Sequence, residues 1–453
     1  MSMLPELPKR RSTSPAESTP NGSPLVVRTQ AIADPGPLLA LLPAHPDPAH
    51  VISWVRRGEG LVGWGRAATF SAHGPERFAR ADEWWRATVQ HAVVRDELGL
   101  PGTGPVVFGS FPFADESRDD AVLLVPEVVV GHRGDRWWLT TVGRAGRIPS
   151  MPGLAPSGAP DELEAPRSIA FADGALSAAQ WASAVAAAVA RITAPPAAKG
   201  TDGEGQAAID KVVLARDLEV TASSAIDPRW VLNRLAERYA NTWTFSVAGL
   251  VGATPELLVR RDQGLVTSRV LAGTIRRSGD DAKDVALAGS LARSSKDLEE
   301  HEYAVRSVAD ALAPHCSSMN VPEAPFVLHL SNVMHLATDV AGVSSDAASS
   351  LALAASLHPS AAVGGTPTAA AVALIGELEQ MDRGRYAGPV GWMDASGDGE
   401  WGIALRCGRY DDENPAVMRL FAGCGIVAGS DPEAELAESD AKFVPMRDAL
   451  ATS

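Results

Sequence analysis

Cysteine is scarce in this chain. Cys316, Cys407 and Cys424 are the whole complement of 453 residues, too few and too far apart for a disulfide framework or a zinc-ligand spacing. Long apolar runs are missing as well: none approaches the roughly 20 residues that cross a bilayer, and no charged-then-apolar leader opens the sequence. These absences lead to the expectation of a cytoplasmic protein in a reducing compartment, with no membrane partner. Positive charge is also short, with 40 Lys and Arg against 55 Asp and Glu and a net charge of −15. Such a surface does not steer nucleic acid or an anionic membrane toward itself, and a small anionic substrate needs local cations or a metal. Nucleotide fingerprints fail too. Gly58-Glu59-Gly60-Leu61-Val62-Gly63 has the spacing G-x-G-x-x-G, but WGRAATF follows it in place of an amphipathic helix, and nothing matches a P-loop. Nicotinamide, flavin and ATP are therefore unsupported.

What is present is apolar content of 45%, enough for a large buried core. Residues 1–24, rich in Ser, Thr and Pro, read as a disordered tail. Residues 25–200 form an N-terminal half with β-type runs at 60–65, 104–113, 121–132 and 137–143, suggesting a broad, mostly antiparallel sheet. A helix over 178–192 ends in the Pro- and Gly-rich stretch 193–206, the best internal boundary. Strands are expected at 211–216, 242–251 and 256–260, and helices around 228–240, 281–313, 346–356, 367–381 and 432–450. No fixed repeat is visible.

The most informative stretch is LFAGCGIVAGSDPEAELAESDAKF near the C-terminus. Glu435, Glu438 and Lys442, three and four residues apart, share one helical face. Gly423 and Gly425 on the preceding strand let backbone approach a ligand. Two carboxylates and an ammonium there suit a metal-bound carboxylate substrate; Glu438 and Lys442 also suit an ordinary solvent-exposed pair. Lys211, at the mouth of the apolar run in DKVVLAR, can be desolvated into a base. Glu256, in GATPELLVRR, is placed for apolar surroundings to raise its pKa into the range of a proton donor. The helix expected over 294–312 places Glu300, His301 and Glu302 near its start, and hard carboxylate oxygens suit magnesium. His335 in NVMHLATDV reads either as a core histidine or as a catalytic one. Arg406, expected within a strand in WGIALRCGRY, requires an anionic partner if buried.

Together DKVVLAR, GATPELLVRR, SRVLAGTIRR, SSKDLEEHE, HLATDV, SLHPSAAVGGTP, GELEQMDRGRYAGPVGW, WGIALRCGRY and the C-terminal stretch resemble the chorismate-utilising enzymes. The isochorismate synthase branch, of menaquinone or siderophore type, is matched best. The resemblance covers 205–450, the expected chorismate-binding catalytic region. It implies one α/β (α+β) domain of extensive antiparallel sheets with outer helices, and conversion of chorismate to isochorismate. Lys211 is then the base that activates water for attack on C2, and Glu256 protonates the departing C4 hydroxyl. The resemblance further implies Mg2+ held by Glu300 and Glu438, with Glu435 and Asp297, a shorter acid than usual, acting through water. Gly273, Thr274, His335, Ala362, Tyr386, Arg406, Gly425 and Lys442 bind the substrate. Lysine at the Lys211 position is typical of water users, so no glutamine amidotransferase subunit is expected, and the chain is expected to be a monomer or weak oligomer. Cys424, Ser439, Val363 and Thr366 depart from the common pattern. A salicylate synthase, which adds a pyruvate elimination, and a non-catalytic chorismate-binding relative are the alternatives.

Overall fold

Proline and glycine punctuation deals the strands of this chain to two stacked sheets. The computed structural model describes residues 23–45, 47–144, 153–154, 163–194, 208–330 and 333–451. Most of the expected N-terminal tail and of the boundary loop 193–206 lies outside these residues. Among them, one sheet of 13 strands runs from Ala170–Asp173 through Lys211–Thr221, Val417–Val427, Cys407–Tyr410, Leu250–Thr254 and Trp243–Val247 to Val51–Arg56, ending at Val93–Asp96. A second sheet of 10 strands includes, in order, Val333–Ser344, Leu265–Arg276, Leu257–Asp262, Gly399–Ile403, Pro389–Asp394 and Val106–Ser110. Pairing is antiparallel except where Leu25–Ile32 meets Val93–Asp96.

The expectation of one broad sheet in the N-terminal half is thus corrected to two. The run 121–132 breaks at Pro126, and its halves Ala121–Val125 and Val128–Arg133 enter different sheets; proline has no N–H with which to continue a ladder. Large apolar side chains, including Trp54, Phe108, Phe245 and Trp401, fill the core between the sheets. A second cluster lies where helices Pro228–Arg238 and Pro432–Leu450 cover the first sheet, with Val231, Leu235, Met418, Leu420, Phe443 and Met446 at its centre. No helix among the described residues is long and apolar enough to cross a membrane.

Other boundaries shift for local reasons. The strand expected over 242–251 is a hairpin of Trp243–Val247 and Leu250–Thr254, turned at Ala248 and Gly249 with φ of +50° and +77°, as a two-residue turn with positive φ requires. The helix expected over 281–313 is two helices, Asp281–Leu291 and Ser295–Leu312, each with its own side-chain cap, Asp280 and Ser294. Arg406 is not within a strand: it stands between Gly399–Ile403 and Cys407–Tyr410 at φ +49°.

That last position matters for the site. Gly399–Ile403 belongs to the second sheet and Cys407–Tyr410 to the first, so residues 404–406 are a crossing between sheets. Pro255 and Glu256 form another, between Leu250–Thr254 and Leu257–Asp262. The two crossings are tied by main-chain bonds, Ala253 N to Arg406 O and Ile403 N to Glu256 O, both 3.2 Å.

Candidate active site

The crossings open one wall of a cavity of about 250 Å³. Helices Ser295–Leu312 and Pro432–Leu450 supply the charged wall opposite. Lys296, Asp297 and Glu300 come from the first helix, and Glu435, Glu438 and Lys442 from the second. A third wall is the strand Leu265–Arg276, bulged between Ala272 and Thr274 where it pairs with His335 and its neighbours. Gly273 sits in that bulge at φ +77°, and a Cβ there would come within 3.0 Å of the Asp297 side chain. Glycine thus lets the strand and the acidic helix touch.

Of the residues singled out from the sequence, Glu256, Gly273, Thr274, Glu300, His335, Ala362, Tyr386, Arg406, Gly425, Glu435, Glu438 and Lys442 all line this cavity. Lys211 stands one layer behind. It is 1% exposed, and its Nζ lies 2.9 Å from Oε1 of Glu300. Burial was expected of Lys211; the carboxylate partner was not. Gly425 makes the pairing possible, because a Cβ there would meet Glu300 Oε1 at 2.5 Å and Lys211 Cε at 3.0 Å. Val363 lines the cavity, whereas Thr366 is paired with Lys211 in the adjoining β-bridge. His301 points between strands instead, with Nδ1 against Ala272 O and Nε2 against Thr338 Oγ1, and Glu302 is exposed beside Arg306.

The electrostatics separate the acids. Burial raises Glu256 to about 7, despite a backbone hydrogen bond and the opposing charges of Lys211, Arg406 and Lys442. It is protonated at the lower end of the physiological range. Burial also pushes Glu300 up, but the ion pair with Lys211 outweighs it and holds the carboxyl below its usual range. Burial and the like charge of Glu438 raise Glu435. The Glu438–Lys442 pair, 2.7 Å apart, is half-buried in the cavity wall, with side chains 28% and 11% exposed, and the Lys442 Nζ also donates to Gly423 O at 2.8 Å. Burial lowers Lys442, yet its acidic neighbours win and its pKa is raised.

His335 is held neutral by burial and by the cations Arg406 and Lys442. Arg406 Nη2 approaches its Nε2 at 3.5 Å, and Nδ1 lies 3.0 Å from Thr274 Oγ1. A guanidinium only donates, so Nε2 is the acceptor and Nδ1 carries the proton toward Thr274. Arg406 itself is buried and makes no ion pair among the described residues. Tyr386 is buried and stacks on Phe421 with ring centroids 5.0 Å apart.

Three carboxylates around the cavity are each held by a lysine: Glu300 by Lys211, Glu438 by Lys442, and Glu435 by Lys296 at 3.5 Å. Lys296 is not marked out in SSKDLEEHE; only helix docking brings its exposed ammonium to the cavity rim beside Glu435. Glu435 and Glu438 bring hard carboxylate oxygens within 4.8 Å of each other, the donor type Mg2+ takes, whereas Glu300, paired with Lys211, falls outside that group. Cys424 Sγ also lies within 4.8 Å of the Glu435 and Glu438 ligand atoms, but it bonds to Glu435 O, and burial raises its pKa well above the ordinary thiol value. The oxygen donors are the ones that suit magnesium.

A model of the chorismate binding enzyme family matches residues 16–451, and the chain belongs to that family. It is 32% identical over 415 residues to the isochorismate synthase MenF of Bacillus subtilis, covering 86% of this chain and 85% of that protein. It is 33% identical over 422 residues to the salicylate biosynthesis isochorismate synthase of Pseudomonas aeruginosa, 88% of this chain and 84% of the other. Among solved structures, the putative 2,3-dihydroxybenzoate-specific isochorismate synthase DhbC of Bacillus anthracis superposes with a TM-score of 0.70 at 31% identity, over 89% of this chain and 96% of that one. The menaquinone-specific isochorismate synthase MenF of Escherichia coli gives 0.75 at 22% identity over 95% of each chain, which establishes the shared fold.

Proposed function

We propose that this protein is an isochorismate synthase that moves a hydroxyl from C4 to C2 of chorismate. The observation that carries the reading is one cavity walled by Glu256, an acid raised to about 7, and by cations, with the buried Lys211 directly behind its wall residue Glu300. Arg406, free of any carboxylate among the described residues, binds one carboxylate of the substrate, and Tyr386, Lys442 and the backbone at Gly273 and Gly425 complete its seat. Neutral His335 keeps the Arg406 guanidinium pointed inward.

Lys211, once neutral, takes a proton from water as the water oxygen bonds to C2. The ring double bond shifts, the C4–O bond breaks, and Glu256 gives its proton to the departing hydroxyl, which leaves as water. Atoms balance: one water enters and one leaves, so the change is an isomerisation. Mg2+ would be held by Glu300, Glu435 and Glu438, with Asp297 beside them, and supplies electrostatic stabilisation of the substrate's ring carboxylate. Glu300 pairs with Lys211 in this structure; as one of the residues that would hold Mg2+, it would leave Lys211 free to act as a base. Water as nucleophile removes the need for an amidotransferase subunit, and we place the enzyme in the cytoplasm.

The test is direct. Purified protein, chorismate and Mg2+ are incubated and the products separated by chromatography. Isochorismate as the released product supports the proposal; an aminated product, or no product with well-folded protein, removes it.

A further inference from the structure

Behind Tyr386 lies a second cavity, of about 320 Å³, that shares the walls Arg383 and Tyr386 with the catalytic one. Its lining is rich in guanidinium groups, unusual in a chain of net charge −15. Most of them are spoken for. Arg383 is bound by Glu379 at 2.5 Å, Arg419 by Asp217 at 2.5 Å, and Arg409 by Asp119 and by Asp412 at 3.0 Å. The remaining lining carboxylate, Asp382, is occupied by Ser117 Oγ and by the N–H groups of Arg118 and Gly384.

Arg385 breaks this pattern. It is 5% exposed and makes no ion pair among the described residues. Its Nη2 donates to Ala248 O at 2.8 Å, while Nη1 has no hydrogen-bond partner. Burial, reinforced by nearby Arg409, lowers its pKa to about 10. A guanidinium taken out of water with a donor unused is costly unless a counter-charge completes it. Asp119, Asp412 and Asp120 act on Arg385 only through space, no carboxylate among the described residues pairs with it, and the cavity beside it has room for a small molecule.

We propose that this rear cavity binds a small oxyanion, a phosphate or a carboxylate, with Arg385 as the residue that holds it. With Nη2 committed to Ala248 O, the unpartnered Nη1 of Arg385 presents charged N–H donors that an oxygen of either group accepts. Lys or Arg side chains at the surface offer no such desolvated seat.

The test is isothermal titration of the full chain at constant ionic strength in chloride, with inorganic phosphate in one arm and succinate in the other. Saturable one-to-one binding is expected in at least one arm, and the tighter arm identifies the source of the oxyanion. Arg385→Met is expected to weaken that binding at least tenfold, while Arg406→Lys, altered only in the catalytic cavity, leaves it within twofold. Should Arg385→Met fail to fold, Arg385→Lys keeps the charge but not the fork and is expected to weaken binding at least threefold. No saturable binding in either arm, equal affinity in the folded Arg385 variant, or loss of binding in Arg406→Lys would each overturn the assignment.

Discussion

Lys211 and Glu300 meet at 2.9 Å across a gap that exists only because residue 425 has no side chain. The strand Val417–Val427 pairs Gly425 with Val213, two residues beyond Lys211, and so runs directly beneath the ion pair. Gly425→Ala would push the Glu300 carboxylate or the lysine stem aside. A displacement of that size at reacting groups costs about a hundredfold in rate, so kcat is expected to fall by that order with the melting temperature shifted only slightly. Wild-type kcat in Gly425→Ala would show that the pair does not set catalytic geometry.

Removal of the base is the sharper test of the nucleophile. Lys211→Ala is expected to lose water addition by roughly two to four orders of magnitude, the usual contribution of a positioned base. Steady-state rates with chorismate, measured with and without ammonium salts, check this. An abundant aminated product from the wild type, together with a harmless Lys211→Ala, would assign the enzyme to ammonia chemistry.

Glu256 links activity to stability through pH. A carboxyl whose folded pKa is raised contributes fully to stability below its unfolded value, here 4.5, and that contribution is lost as pH rises through about 7. The interval corresponds to an upper bound of roughly 3 kcal/mol. Glu256→Gln mimics the protonated form at every pH. It is expected to match wild-type stability near pH 4.5, to exceed it by up to that amount at pH 8, and to lose turnover by two orders of magnitude or more. Denaturant melts at the two pH values give the sign; a Gln variant less stable than wild type at pH 8 contradicts a protonated, buried Glu256.

The proposed Mg2+ site predicts metal dependence. A chelator is expected to abolish turnover and Mg2+ to restore it, and Glu438→Gln to raise the Mg2+ concentration required at least tenfold. Calorimetric titration of Mg2+ into wild type and variant reads the same loss without turnover. Full activity in excess chelator would remove Mg2+ from the proposal.

Product release is the remaining question. Ala362 and Val363 line the cavity, while Gly364 and Thr366 do not, so only the first two can shape the space for the enolpyruvyl arm. Their small volumes are expected to let isochorismate leave before pyruvate is eliminated. Pyruvate and isochorismate followed together give the answer: pyruvate appearing in step with salicylate from the outset would make the enzyme a salicylate synthase.

Much of the site was legible in the sequence because helical spacing is rigid. Residues three and four apart, as in Glu435, Glu438 and Lys442, share a face wherever the helix goes. Strand and helix runs were likewise legible, but the cap at Ser294 divides one expected helix into two and the turn at Ala248 and Gly249 divides one expected strand into a hairpin. Burial of Lys211 and Glu256 followed from the apolar runs beside them. What local sequence does not encode is which strand lies beside which. The assignment of strands to two sheets, the crossings that bring Glu256 to Arg406, and the Lys211–Glu300 and Lys296–Glu435 pairs all join residues far apart in the chain. Periodicity fixes which way a side chain faces relative to its own element; only packing of the sheets and helices decides what it faces.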